Sequence, residues 1–183
     1  ITVDSATMFN KTLEVLEAHW LFGLPLDKIQ VVVHRQSIVH SMVSFADGSV
    51  MAQLAEPNMC LPIQIALLGN GGDQIVEKID FSQMLKLTFE PSDTVKFPCV
   101  NLAYEVFDMY PLAPTIMNGA NDVCVEQFLQ GKLAFDKFYP TIMQVVRHFA
   151  DQLANVPVTV ENIINFDQEA QKITNSILNG VIC

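Results

Sequence analysis

Between Pro91 and Pro98 the spacing of apolar residues changes character, and this change most limits the folds open to the chain. Before it, short β-branched runs are cut by turn signals; after it, longer segments repeat at helical spacing. The first part opens with a helix over 6–22, stopped by Gly23 and Pro25. Residues 29–34 are β-branched and nearly continuous, which predicts a buried strand. Residues 37–45 and 49–54 flank Asp47-Gly48, the strongest short-range hairpin signal. Pro57, Asn58 and Pro62 introduce a short helix over 63–68 closed by Gly69, and the run Gly69 to Asp73 is a plain connecting loop. Residues 84–90 alternate, with Leu85, Leu87 and Phe89 on one face of a further strand. After Pro98 the pattern predicts helices over about 99–110, 115–130, 136–154 and 168–178. Gly131 and Gly180 serve as residues just past helix ends, and Asp167 as an N-cap. The expected class is therefore α/β, an α+β part with a mixed sheet and hairpin, followed by an all-α helical domain.

Hydrophobic residues form 50% of the 183 and charged residues 16%, which makes the chain globular rather than disordered. Twenty acidic against ten basic residues leave a net charge of −10. That balance argues against nucleic acid or an anionic membrane as partner, since neutralising phosphates needs Lys and Arg. A small anion needs a local cation, and Lys11, Lys28 and Arg35 are the candidates near this end. Cys60, Cys99, Cys124 and Cys183 lack metal or disulfide spacing, so reduced thiols in a reducing compartment are expected. No apolar run reaches membrane-spanning length and no secretory signal is visible. The chain begins at Ile1 without an initiator methionine, in a strand-like Ile-Thr-Val, so sequence upstream is expected.

The densest chemistry lies in Asp4 to Glu14. On a helix, Phe9, Leu13, Leu16 and Trp20 make one apolar stripe, with Asn10, Glu14 and Glu17 opposite and Lys11 flanking. Asn10 and Glu14 are four apart and Lys11 and Glu14 three apart, so all three reach one small object. Ser5 is a natural N-cap at the positive end of the helix dipole. This equipment suits a phosphate, with a carboxylate nearby for a divalent cation. A solvated helix face with a capping serine carries the same residue types. His34, Arg35, Ser37, His40 and Ser41 form a second polar cluster, fit either for a ligand beyond the strand ends or for bonding one another at a turn. Asn118, Gly119, Asn121 and Asp122 mark a polar helix face that caps and surface positions explain equally well. The eight methionines read as core filler.

Ser5-Ala6-Thr7-Met8-Phe9-Asn10-Lys11-Thr12-Leu13-Glu14, continuing to Phe22, resembles the core block of the 1-deoxy-D-xylulose 5-phosphate reductoisomerase family. The resemblance continues through His34 to Val43, Asp47 to Leu54, Glu56 to Met59 with Pro62-Ile63, Phe97-Pro98-Cys99, and Ala113-Pro114-Thr115 with Asn118 and Ala120-Asn121. It implies conversion of 1-deoxy-D-xylulose 5-phosphate to 2-C-methyl-D-erythritol 4-phosphate in non-mevalonate isoprenoid biosynthesis, with NADPH and Mg²⁺ or Mn²⁺ as cofactors. Carried over by position, Ser5, Asn10 and Lys11 bind the substrate phosphate. Glu14 is a metal carboxylate and catalytic residue, His40 is a catalytic residue in the substrate pocket, and Met59 touches the cofactor, with Pro57 beside it. The resemblance also implies a homodimer, located in bacterial cytoplasm or plastid stroma. It assigns residues 1–75 to the catalytic α/β domain, 76–97 to a linker with a strand, and 98–183 to a C-terminal helical bundle. Thr12 stands where the family typically has Gly, Arg35 where it has Pro, Asn58 where it has Asp and Cys60 where it has Arg; Thr12 is expected to add bulk beside Lys11. The family's main NADPH-binding half would precede Ile1, so these residues alone are not expected to transfer hydride. The competing expectation is a truncated, non-catalytic homologue that binds a phosphate ligand or supports oligomerisation.

Overall fold

A left-handed residue, Met8 (φ 63°, ψ 15°), breaks the helix predicted over 6–22: α2 runs Phe9–Phe22, and the residues before it join α1 (Thr2–Thr7), where a strand-like start was expected. The structure, a computed structural model, describes residues 1–69, 72–83 and 86–181. Left-handed backbone is unfavourable for a side chain such as methionine, so tertiary contacts must hold the bend. Phe9, just past it, is fully buried. Its N–H donates to the Thr7 hydroxyl, itself buried, at 3.3 Å. Ser5 accordingly lies inside α1 and is not the expected N-cap. α2 ends at Gly23 (φ 64°), as the sequence predicts.

Contacts group the chain into two compact units, Ile1–Val31 with Ser92–Cys183, and Val32–Pro91. In the first, the 3₁₀ turn Pro98–Asn101 leads to α4 (Leu102–Val106), α5 (Ala113–Leu129), the 3₁₀ turn Phe135–Lys137, α6 (Phe138–His148), α7 (Ala150–Leu153) and α8 (Val160–Leu178). Leu102, Leu112, Ile116, Met117, Phe138 and Ile142 are all but fully buried and form the core, which Phe9, Val15 and Leu16 of α2 join. The stripe expected on α2 holds for Phe9 and Leu16 and fails at Trp20, which is 74% exposed and rests against His19 and Phe107 instead. The last turn runs beyond the core, since Leu21 and Phe22 are exposed as well. The helix expected over 168–178 begins eight residues earlier: the Thr159 hydroxyl accepts the Asn162 N–H at 3.1 Å, so Thr159 is the cap and Asp167 lies mid-helix. The segment expected as one helix over 99–110 becomes a 3₁₀ turn and one short α-helix, and that over 136–154 a 3₁₀ turn and two α-helices.

In the second unit, β1 (Val32–Val33) pairs antiparallel with β4 (Glu90–Pro91). β2 (Val39–Ser44) and β3 (Val50–Leu54) form the hairpin predicted around Asp47-Gly48. α3 runs Cys60–Leu68. The long strands expected over 29–34 and 84–90 shrink to these two-residue pieces, and Val32 is exposed rather than buried. Met84 and Leu85, with Asn70 and Gly71 of the predicted loop, lie outside the described residues. Among the described residues the strands make two antiparallel pairs, into which the expected mixed sheet resolves. Arg35 closes β1 onto β4 with a forked contact to Glu90 at 2.7 and 2.9 Å, which holds that carboxyl below its ordinary range. The α/β part and the helical part expected from the sequence are thus both present. Among the described residues no helix is long and apolar enough to cross a membrane, and Cys60, Cys99 and Cys124 are free thiols. The division at residues 75 and 97 stays our proposal for the domains.

β2 and β3 carry an irregularity. Val39 pairs with Leu54 and Ser41 with Gln53, so His40 is an extra residue on its strand, a bulge.

Two predictions follow from the α5–α8 seam. A Cβ on Gly119 would stand 2.8 Å from the Asp167 carbonyl oxygen and 3.2 Å from the Ala170 Cβ. Gly119→Ala therefore destabilises this unit by about 1–3 kcal/mol, read as a lower urea midpoint at unchanged slope. The Asp122 carboxyl is raised above its usual value, first by partial desolvation, then by Asp167 and Asp4. A carboxyl raised on folding weakens the fold as pH rises through that value and has no effect once protonated in both states. Asp122→Asn should raise the melting temperature at pH 7, and the gain should vanish near pH 3.

Candidate functional site

The polar side of α2 brings Asn10, Lys11 and Glu14 together. Asn10 Nδ2 donates to Glu14 Oε1 at 2.6 Å, and Lys11 Nζ pairs with Glu14 Oε2. Lys11 and Glu14 side chains are each 44% exposed, so solvent and solutes reach them. This is the i,i+3 and i,i+4 geometry of one helix face. Two donors, one of them cationic, converge on one carboxylate, whose remaining lone pairs are open. Oxygen donors of this kind suit Mg²⁺ or Mn²⁺, and an amide with an ammonium suits a phosphate, so the residues present fit both groups. Among the described residues, no three His, Cys, Asp or Glu side chains stand close enough together to hold a metal ion. Ser5 sits on α1, before the bend, exposed. Its carbonyl accepts the Met8 N–H at 3.2 Å and so takes part in the bend itself.

Thr12 departs from expectation. Its side chain is fully buried, and its hydroxyl donates to the carbonyl of Cys99, so it faces the core rather than crowding Lys11. It shares a side of the helix with Phe9, Val15 and Leu16, three or four residues away. The polar face thus backs onto a side bonded to a segment 87 residues distant. The thiols of Cys99 and Cys124 are pushed up to about 12 by burial, which leaves them unreactive at neutral pH.

In the other unit, His40 on β2 contacts the Ala55 carbonyl through Nε2 at 3.2 Å. His40 and Met59 line one cavity of about 750 Å³, with Gln53, Glu56, Pro57 and Asn58 among its walls. The sequence singles out His40, Pro57 and Met59, whereas Gln53 and Glu56 lie inside the resembling blocks without a role assigned to either. Asn58 also holds the start of α3, its Oδ1 accepting the Cys60 N–H at 2.9 Å. Of the polar cluster around His34, only His34 and Gln36 are engaged by Thr88, while Ser37 lines the same cavity as His40. His34 Nδ1 bonds the Thr88 carbonyl at 2.8 Å, its ring stacks on Phe89 at 4.7 Å, and Gln36 bonds Thr88 through both amide atoms. His40 stands apart from that network, on the hairpin.

Comparison with known proteins gives two matching family descriptions. Residues 54–173 match the DXP reductoisomerase C-terminal domain, and residues 1–22 match the 1-deoxy-D-xylulose 5-phosphate reductoisomerase C-terminal domain. A 1-deoxy-D-xylulose 5-phosphate reductoisomerase of Clostridium perfringens (strain SM101 / Type A) is 49% identical over 173 residues, covering 94% of this chain and 44% of the relative. One from Janthinobacterium sp. (strain Marseille) is 44% identical over 97% of this chain and 45% of its own length. Among solved structures, the reductoisomerase from Zymomonas mobilis in complex with NADPH superposes with a TM-score of 0.88 at 35% identity, over 97% of this chain and 47% of that one. A DOX-P reductoisomerase in complex with NADPH, fosmidomycin and magnesium gives 0.83 at 35% identity, over 98% and 46%. The chain spans about half the length of the relatives it matches.

Valine matches threonine in shape but offers no donor. Thr12→Val should leave the Cys99 carbonyl unpaired and lower stability by about 1–3 kcal/mol, measured by urea denaturation. An unchanged midpoint would remove the role given to this hydroxyl.

Proposed function

Because the chain belongs to the 1-deoxy-D-xylulose 5-phosphate reductoisomerase C-terminal family, we propose that it serves as the C-terminal part of an enzyme converting 1-deoxy-D-xylulose 5-phosphate to 2-C-methyl-D-erythritol 4-phosphate with NADPH and Mg²⁺ or Mn²⁺. The observation that carries this reading is the meeting of Asn10 and Lys11 on Glu14 at one half-exposed spot. A bound metal supplies Lewis acidity toward substrate oxygens, and NADPH supplies the hydride. The residues of this chain bind and orient. Lys11 neutralises the substrate phosphate, and the Asn10 amide and Ser5 hydroxyl donate to its oxygens. The Glu14 carboxylate is a metal ligand, a role for which its half-exposed oxygens are open. In the other unit, His40 contacts substrate in the cavity it lines, and Met59 offers a polarisable apolar surface to the nicotinamide cofactor.

The reading includes a homodimer. It draws support from the apolar residues exposed along the β2–β3 hairpin, with Val43, Val50 and Met51 each more than half exposed. It also includes the bacterial cytoplasm as compartment, in keeping with the bacterial relatives.

Tested in the complete enzyme, Glu14→Gln should cut magnesium-dependent NADPH oxidation by about 100-fold or more, since the lost charge weakens metal binding. Lys11→Ala should chiefly raise KM for the phosphorylated substrate. A Glu14→Gln enzyme with the parent rate across a magnesium titration would refute the metal role.

A further inference from the structure

We propose that Asn121, in the middle of α5, is a positioning residue for Ser5, acting through Asp4; this rests on the reading of Ser5 as a phosphate ligand. Asn121 Nδ2 donates to Asp4 Oδ1 at 2.8 Å across 117 residues of sequence. Asn121 is 2% exposed, and its own Oδ1 is buried without a partner among the described residues. Burying an amide with one end unpaired is unfavourable, and an apolar residue of similar shape would avoid the penalty. The side chain therefore earns its place through the bond to Asp4 and not through packing.

The need for such a bond lies in α1. Six residues are far below the roughly 12–15 at which a helix holds itself in water, so its orientation is set from outside. Asp4 is fixed by Asn121 on the buried side, while its neighbour Ser5 is exposed. Further along, the Thr7 hydroxyl contacts the Asp4 carbonyl at 3.3 Å and also receives the Phe9 N–H. Asn121 thus anchors the turn that carries Ser5 and feeds the Met8 bend, beyond which Asn10 and Lys11 begin. Loss of the anchor lets Ser5 move relative to Asn10 and Lys11, which weakens hold on the phosphate without altering any group at the reacting carbons.

The test uses the complete enzyme and steady-state kinetics with 1-deoxy-D-xylulose 5-phosphate, alongside melting temperature. Asn121→Leu and Asp4→Ala should each raise KM about tenfold, as a misplaced hydrogen bond to a charged phosphate would, with kcat held within about twofold. The double variant should be no worse than the poorer single one, because both break the same link. The reciprocal exchange Asn121→Asp with Asp4→Asn, which restores a donor facing a carboxylate, should recover KM. Should Asn121→Leu fail to fold, Asp4→Ala and the exchange carry the same comparison at the more accessible partner. If Ser5→Ala raises KM while Asp4→Ala and Asn121→Leu lower only the melting temperature, the positioning role is overturned. If Ser5→Ala leaves KM unchanged, the phosphate reading beneath it falls instead.

Discussion

Phe9, Thr12, Val15 and Leu16 turn one side of α2 into the core, and Thr12 bonds that side to the backbone at Cys99. On the opposite side Asn10 and Lys11 bond Glu14, their own helix neighbour, and Lys11 and Glu14 are reached by solvent. A helix held so firmly by one face presents the other at a fixed angle, which a polar cluster needs if it is to meet a ligand repeatedly in the same pose. The helices after residue 92 are therefore scaffold for residues near the start of the chain. They close around Phe9, the residue after the left-handed Met8, and that closure holds an otherwise unfavourable backbone conformation in place.

Charge distribution follows the same logic. In a chain of net charge −10, a phosphate site must be made by a few cations placed with care rather than by a basic surface. Lys11 is matched to Glu14, which keeps it in place and keeps its field local. Arg35 is engaged by Glu90 in the other unit, where it braces the β1–β4 pair.

What the sequence made legible was local. Asp47-Gly48 specified the hairpin because a two-residue turn with a glycine has few alternatives, and Gly48 indeed has positive φ. Helix periodicity placed Asn10, Lys11 and Glu14 in contact because three- and four-residue spacing fixes neighbours before any tertiary structure exists. The rest depended on distant partners. Nothing in methionine's preferences predicts a left-handed Met8; that conformation follows from burying Phe9. Trp20 belongs to the apolar stripe by spacing, but the core ends before it. Thr12 faces inward because Cys99 awaits it 87 residues later, and the Asn121–Asp4 bond spans 117. In the α/β part, His34 and His40 looked like one cluster from sequence. Thr88 and Phe89 claim only the first of them.

The bulge at His40 has its own consequence. Strand residues alternate between two faces, so the direction of any one side chain normally follows from counting along the strand. With one residue extra between Val39 and Ser41, the parity of that count changes at His40. The hairpin tip can therefore keep its own inside-outside order while the segment leading into the strand keeps another.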